Sequence, residues 1–288
     1  MAAITTIKRR IGSVKNTRQI TKAMQLVAAA RMRKAQEAAR QSRTYNDTAR
    51  ELLTRLSQVT NVNQYELFAR RTVKGRLLIV ITSDSGLAGA YNSNALKAYI
   101  GELKKDKADG VSSYTITVGQ KAAHFVAKLS HTEVVGVYRK LPESIDVAYL
   151  QPIMQTAVDL FTSGKVDAVD VIYTHFYNSI RQEPELLHLL PAGFTQTEVG
   201  KDLQQAEFEP STQVVLQVAA RRLLDAQLLQ SVLESVASEQ SMRMMAMKNA
   251  TDNATDLVDD LTLAFNNARQ ASITQELAEI TGGAEAMK

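Results

Sequence analysis

The residues STQVVLQVAARRLLDAQLLQSVLESVASEQSMRMMAMKNATDNATDLVDDLTLAFNNARQASITQELAEIT, Ser211 to Thr281, contain neither glycine nor proline. Those two residues are the strongest local breakers of regular structure. Read as one helix, the stretch would extend roughly 105 Å at 1.5 Å per residue. No compact domain of this size holds such a helix, so the sequence predicts an arm that projects. Within it, four methionines crowd into the six residues from Met242 to Met247. Flexible, polarizable thioethers suit a surface that must fit more than one partner shape.

The other end of the chain has the same character. Nothing breaks it from Ser13 to Lys74, and all five prolines and ten of the thirteen glycines lie between Gly75 and Pro210. This punctuation divides the chain into an N-terminal coiled-coil helix (1–74), an α/β domain (75–210) and a C-terminal coiled-coil helix (211–288). Helices in water depend on burying an apolar face, so neither end stands alone. Ile4, Ile7, Ile11, Val14, Ile20, Met24 and Val27 suggest one seam, with a skip past Thr17, and Tyr45, Ala49, Leu52, Leu56 and Val59 continue it. Leu229, Leu233, Val236, Met244, Met247, Ala254, Val258, Leu261, Phe265 and Ala268 suggest the other. Spacings of three and four produce a left-handed coiled coil. Each end is the simplest partner for the other, in antiparallel register.

Charge supports that pairing. Residues 1–43 hold eleven Lys or Arg against the single acid Glu37, a net of +10, while residues 211–288 carry −4. The basic N-terminal segment could suit nucleic acid. Its apolar positions run through the basic stretch, however, so an acidic protein surface is the better reading. The chain has no cysteine, which excludes disulfides and thiolate chemistry. Its longest strand-like apolar run, LLIVI at 77–81, is far short of the roughly 20 residues of a membrane span. The sequence predicts a soluble chain facing the cytosol.

The centre has another rhythm. RLLIVIT (76–82), YTITVG (114–119), VVGVY (134–138) and VDVIYTHFY (169–177) are short β-branched runs, alternating with helical stretches at 94–105, 120–129 and 147–163. That alternation predicts a mainly parallel sheet with helices on its faces. ELLHLLPA (185–192) follows closely enough to form an antiparallel edge. The expected fold is an antiparallel coiled coil of the terminal helices with an inserted Rossmann-like α/β domain.

Candidate chemistry is sparse. SDSGLAGAYNSN (83–94) follows the first strand and opens a helix, the place where α/β folds bind ligands. It matches neither the dinucleotide fingerprint nor the P-loop, so a structural turn is the plainer reading. His124, His131, His175 and His188 fall on separate elements without ligand spacing. Asp259 and Asp260 suit a solvated helix face. No catalytic residue, metal ligand or cofactor-binding residue is assigned.

Four longer motifs carry a resemblance: NTRQITKAMQLVAAARMRKAQ (16–36), SDSGLAGAYN (83–92), SEQSMRMMAMKNATDN (238–253) and NNARQASITQELAEI (266–280). In order and spacing they resemble the gamma subunit of bacterial F-type ATP synthases, along the whole chain. Ser85, Ala88 and Ala90 depart from the Arg, Cys and Gly common in that family's second motif, and no cysteine-bearing regulatory insertion is present. The resemblance implies a non-catalytic rotor shaft, peripheral on the cytoplasmic face of the bacterial cell membrane. It implies alpha and beta subunits, an epsilon subunit and a c-ring as partners, no cofactor, no nucleic acid, and membrane contact only through the complex. It implies that Arg269, Gln270 and Thr274 touch a catch loop of a beta subunit. Met24 would occupy a shaft position sensitive to a new cation, and Glu209 a loop at the foot against the c-ring. Met242 and Met245 are expected to face outward to the ring, with Met244 and Met247 in the coiled-coil core.

Overall fold

The computed structural model describes residues 2–59, 66–142, 145–192 and 211–286. Two long helices begin and end the chain, α1 (Ala2–Val59) and α5 (Thr212–Ala286). Between them run β1 (Gly75–Ile81), α2 (Tyr91–Ala108), β2 (Ser112–Val118), α3 (Gln120–Val126), β3 (Glu133–Tyr138), α4 (Val147–Thr162), β4 (Ala168–Phe176) and β5 (Gln182–Leu190). The chain forms two compact units, one of residues 1–29 with 243–288, the other of 30–242. The helix α5 passes through Gly282 and Gly283, beyond the breaker-free stretch that ends at Thr281. A helical glycine costs only about 1 kcal/mol relative to alanine.

In the larger unit the sheet order is β3-β2-β1-β4-β5, with β5 antiparallel at one edge and the other pairs parallel. β1 is central and its LLIVI run is wholly buried, as expected of a strand covered on both faces. Side chains alternate across a strand. Accordingly Leu77, Ile79 and Ile81 pack with Ile153, Phe161 and the α5 residues Leu224, Leu228 and Val232. Leu78 and Val80 pack on the opposite side with Tyr99, Ala122 and Val126 of α2 and α3. Near the start of α5, Leu216, Ala220 and Leu223 form a smaller core with Phe68 and Ala49. Along this part of α1 and α5, Arg43 Nη2 meets Glu234 Oε1 at 3.0 Å and Asn46 Nδ2 donates to the Ala226 carbonyl at 3.1 Å. The two helices therefore run antiparallel, the number on α5 falling as that on α1 rises.

The seam of α1 differs from the expected one. Ile20 and Val27 are exposed. One continuous line of covered positions runs through Ile4, Ile7, Ile11, Val14, Arg18, Thr21, Gln25, Ala28, Met32, Ala35, Ala39, Ser42, Asn46 and Ala49, with Met24, Ala29, Gln36 and Ala38 half-buried beside it. Gaps along that line alternate three and four without a skip, the full coiled-coil period. An apolar-only reading loses this line at Arg18, Thr21 and Gln25. A long Arg stem or a small Thr fills a seam position as well as a branched aliphatic does. Of the continuation suggested by the sequence, Ala49 is half-buried, while the side chains of Tyr45, Leu52, Leu56 and Val59 lie outside the described residues.

Candidate functional site

In the unit formed by the chain ends, α5 presents Met247, Thr251, Ala254, Val258, Leu261, Phe265, Ala268 and Ser272 as its covered line, again alternating four and three. Thr21 Oγ1 and Thr251 Oγ1 meet across the seam at 2.8 Å, fixing the antiparallel register. Counting outward from that pair brings Val14 level with Val258 and Ile11 level with Leu261. This seam uses small and medium side chains, and a good part of the apolar surface faces out. Ile20, Leu26 and Val27 on α1 and Leu257, Leu263, Ile273, Leu277 and Ile280 on α5 are exposed. Lys8, Arg9, Arg10, Lys15 and Lys22 are exposed beside them, as are Asp252, Asp256, Asp259 and Asp260. Apolar side chains left open in this number along paired helices are the kind of surface that a partner covers. The sequence reading placed Ile20 and Val27 in the core and so missed this surface. The unbroken heptad line runs instead through Thr21 and Ala28 and leaves Ile20 and Val27 off the seam, a choice that only the facing helix settles.

The individually named residues fall on several parts of these helices. Arg269, Gln270 and Thr274 are exposed on α5, flanked on its covered line by Phe265 and Ala268, whereas Ala271 is exposed rather than packed. Met24 is half-buried at the margin of the α1 seam. Within the methionine cluster Met247 is buried and Met245 exposed, as expected. Met244 and Met242 are both half-buried, so Met242 does not face fully outward. Glu209 lies outside the described residues.

The Ser83–Asn94 turn sits at the carboxyl ends of the central strands, and its geometry is that of a brace. Asp84 Oδ1 accepts the backbone N–H groups of Gln120 and Lys140, each at 3.0 Å, and Oδ2 accepts that of Leu141 at 2.9 Å. One carboxylate thereby ties the ends of β1, β2 and β3. Asn92 closes the turn, its Oδ1 accepting from Ser83 N at 3.0 Å and its Nδ2 donating to Ser83 Oγ at 2.8 Å. At Gly119 the backbone takes φ +97°, and a Cβ there would stand 2.1 Å from the Thr82 carbonyl oxygen. Donors that could cradle a phosphate already hold the Asp84 carboxylate. A nucleotide phosphate would meet a fixed negative charge.

Charge buried in the larger unit is paired. Arg76 bonds Asp170 at 2.5 Å and Glu102 and Asp106 at 2.9 Å each. Burial works against its charge, but Asp170 and Asp106 outweigh it and hold the guanidinium protonated. Glu234 is buried, with Arg43 at one oxygen and His175 Nδ1 2.5 Å from the other. Burial, with the Glu234 and Glu185 carboxylates, pushes the Tyr173 hydroxyl up from its ordinary value. These clusters join secondary-structure elements, and among the described residues no group has the make-up of a metal site.

A chain whose paired terminal helices leave apolar side chains exposed, and whose turn after β1 serves as a brace through the Asp84 carboxylate, has the makings of an interaction subunit. Known proteins give it a family. A family model described as ATP synthase matches residues 3–287. An ATP synthase gamma chain of Ralstonia nicotianae is 39% identical over 292 residues, covering all of both chains. That of Stenotrophomonas maltophilia is 37% identical over 288 residues, again end to end. In fold, the chain is similar to one in the Euglena gracilis mitochondrial ATP synthase, with a TM-score of 0.67 at 18% identity, covering 99% of this chain and 95% of that one. A chain of the Tetrahymena thermophila mitochondrial ATP synthase central stalk and c-ring is similar at TM-score 0.59 and 24% identity, covering 80% and 99%. With a match that runs from end to end, this chain belongs to the ATP synthase gamma chain family.

Proposed function

We propose that this chain is the central rotor shaft of an F-type ATP synthase, coupling ion-driven rotation of a c-ring to ATP synthesis or hydrolysis at beta-subunit sites. It supplies no catalytic group of its own. The observation that carries this reading is the end-to-end likeness to ATP synthase gamma chains. The exposed apolar and charged surface of the helical unit supports it, because a shaft turning inside a ring needs contacts that form and release. Weakly directional side chains such as Met245, Leu263 and Leu277 suit successive partners. In this reading alpha and beta subunits surround the helical pair, with Arg269, Gln270 and Thr274 against a beta subunit. Epsilon and the c-ring meet the foot, where Glu209 contributes. Among the described residues no helix is long and apolar enough to cross a membrane. The chain then reaches the cytoplasmic face of the cell membrane as a peripheral component of the complex.

The test is reconstitution. Purified alone, the chain should neither hydrolyse ATP nor bind a dinucleotide. Mixed with alpha and beta subunits, it should join them and raise their ATPase activity. Failure to join would overturn the rotor reading, and ATP hydrolysis by the chain alone would favour an enzyme. Met24→Lys refines the test. A cation at the half-buried margin of the α1 seam would strengthen contact with beta carboxylates in some rotary positions more than others, and 1.4 kcal/mol of such bias is tenfold in population. Protons moved per ATP should fall while assembly persists.

A further inference from the structure

The way α5 meets the sheet reveals a second feature. β4 pairs with β1 only as far as Ile172 opposite Val80, yet continues to Phe176 along β5. Past that point the edge of β4 that faced β1 has no strand beside it. Thr174 is 1% exposed, so its backbone groups need partners, and an unpaired buried backbone group is costly. They find them on a helix. Thr174 N–H donates to Ser235 Oγ at 2.9 Å, and Ser238 Oγ donates to the Thr174 carbonyl at 3.1 Å. One turn on, Ser241 Oγ donates to the Ser179 carbonyl at 3.1 Å and receives Gln182 Nε2 at 3.3 Å. All three serines are completely buried. Immediately before Ser235, Glu234 holds Arg43 of α1 and lies against His175 of β4.

Apolar packing of Leu224, Leu228 and Val232 on the sheet resists pulling the helix away, but it is non-directional. Hydrogen bonds weaken steeply when bent. A rotation of α5 about its own axis would therefore break the serine bonds before it cost much burial. We propose that Ser235, Ser238 and Ser241 are positioning residues that fix the azimuth of α5 against β4. In this assignment turning force passes through them between the α/β domain and the shaft. The assignment rests on the rotor reading for its function, and on the bonds to Thr174 and Ser179 for its existence.

The experiment has two arms. In the purified full-length chain, hydrogen exchange at the Thr174 amide should be about tenfold faster in Ser235→Ala, the factor corresponding to one hydrogen bond of ordinary net worth. Ser231→Ala is the control, since Ser231 is equally buried but bonds its own helix at the Gln227 carbonyl. It should leave Thr174 exchange unchanged. In the reconstituted membrane complex, the triple variant Ser235→Ala/Ser238→Ala/Ser241→Ala should still hydrolyse ATP but move fewer protons per ATP than the parent. Ser231→Ala should match the parent. Where the triple variant does not assemble, Ser238→Ala alone carries the same comparison. Unchanged exchange at Thr174, or an unchanged proton-to-ATP ratio in an assembled variant, would overturn the assignment. Failure of the parent chain to join alpha and beta would instead strike the rotor reading.

Discussion

Thr21 and Thr251 bring their hydroxyls within 2.8 Å across the helical seam, and each also has a carbonyl on its own helix, Arg18 at 3.0 Å and Met247 at 2.8 Å. Thr251 has one proton for two acceptors, so the bond between helices is held only part of the time. Its net worth is expected at the low end of the usual range, about 0.5 kcal/mol. Thr21→Val and Thr251→Val should each cost less than about 1 kcal/mol, and the double variant less than their sum, because replacing both partners by apolar groups of like shape is nearly neutral. Denaturant unfolding of the parent and the three variants gives this coupling directly. A double variant several kcal/mol less stable would show that the pair does more than set the register.

Asp84 supports three backbone N–H groups, one at the start of α3 and two in the loop after β3. Hydrogen bonds to a charged group are worth about 1.5–3 kcal/mol each before the losses shared within one network. Asp84→Ala should therefore destabilise the larger unit by about 3 kcal/mol or more, with thermal unfolding as the measurement. Asp84→Asn keeps one acceptor oxygen and should lose less. Equal stability of Asp84→Ala and the parent would remove the brace from the account.

Acid should loosen the sheet at a defined place. Asp167 is held below its ordinary value of 3.8, chiefly by the Lys74 backbone N–H and also by that of Gly75. Glu102 is likewise held below 4.5: burial opposes its charge, but Lys105 and Arg76 outweigh the opposition. A carboxylate whose folded pKa is depressed stabilises the fold above its unfolded value and loses that contribution as pH falls through its folded value. Stability should thus be maintained down to about pH 4.5 and decline below it. In Asp167→Asn the acid limb should be flatter, read from unfolding midpoints at successive pH values. An identical acid limb in that variant would exclude Asp167 as a contributor.

Arg269 and Gln270 are exposed neighbours on α5, carrying several donors between them. In the rotor reading a charge-assisted bond from Arg269 to a beta carboxylate would be worth about 1.5–3 kcal/mol, and being directional it would serve one beta subunit at a time. Arg269→Leu and Gln270→Leu are expected to assemble normally and to slow ATP turnover and synthesis, with a non-additive loss when combined. Parent-level turnover in the assembled double variant would make both residues ordinary solvated positions.

Much of this architecture is readable from local pattern alone. The map of glycine and proline separates the arms from the centre, because breakers act on the few residues around them. Four β-branched runs locate β1 to β4, and the leucine-rich run that closely follows the last of them locates the antiparallel edge β5, since a short apolar run bounded by turns has few other stable uses. Tertiary structure decided what periodicity leaves open. Whether Ile20 and Val27 or Thr21 and Ala28 face the partner helix depends on which side chains stand opposite, some two hundred residues away. Ser235 and Ser238 read as ordinary helical serines until the end of β1 leaves Thr174 without a strand beside it. Asp84 likewise reads only as part of a structural turn until folding brings Gln120, Lys140 and Leu141 to its carboxylate. In each case the deciding energy is a contact between residues distant in sequence, and no local period encodes which distant backbone group will need a partner.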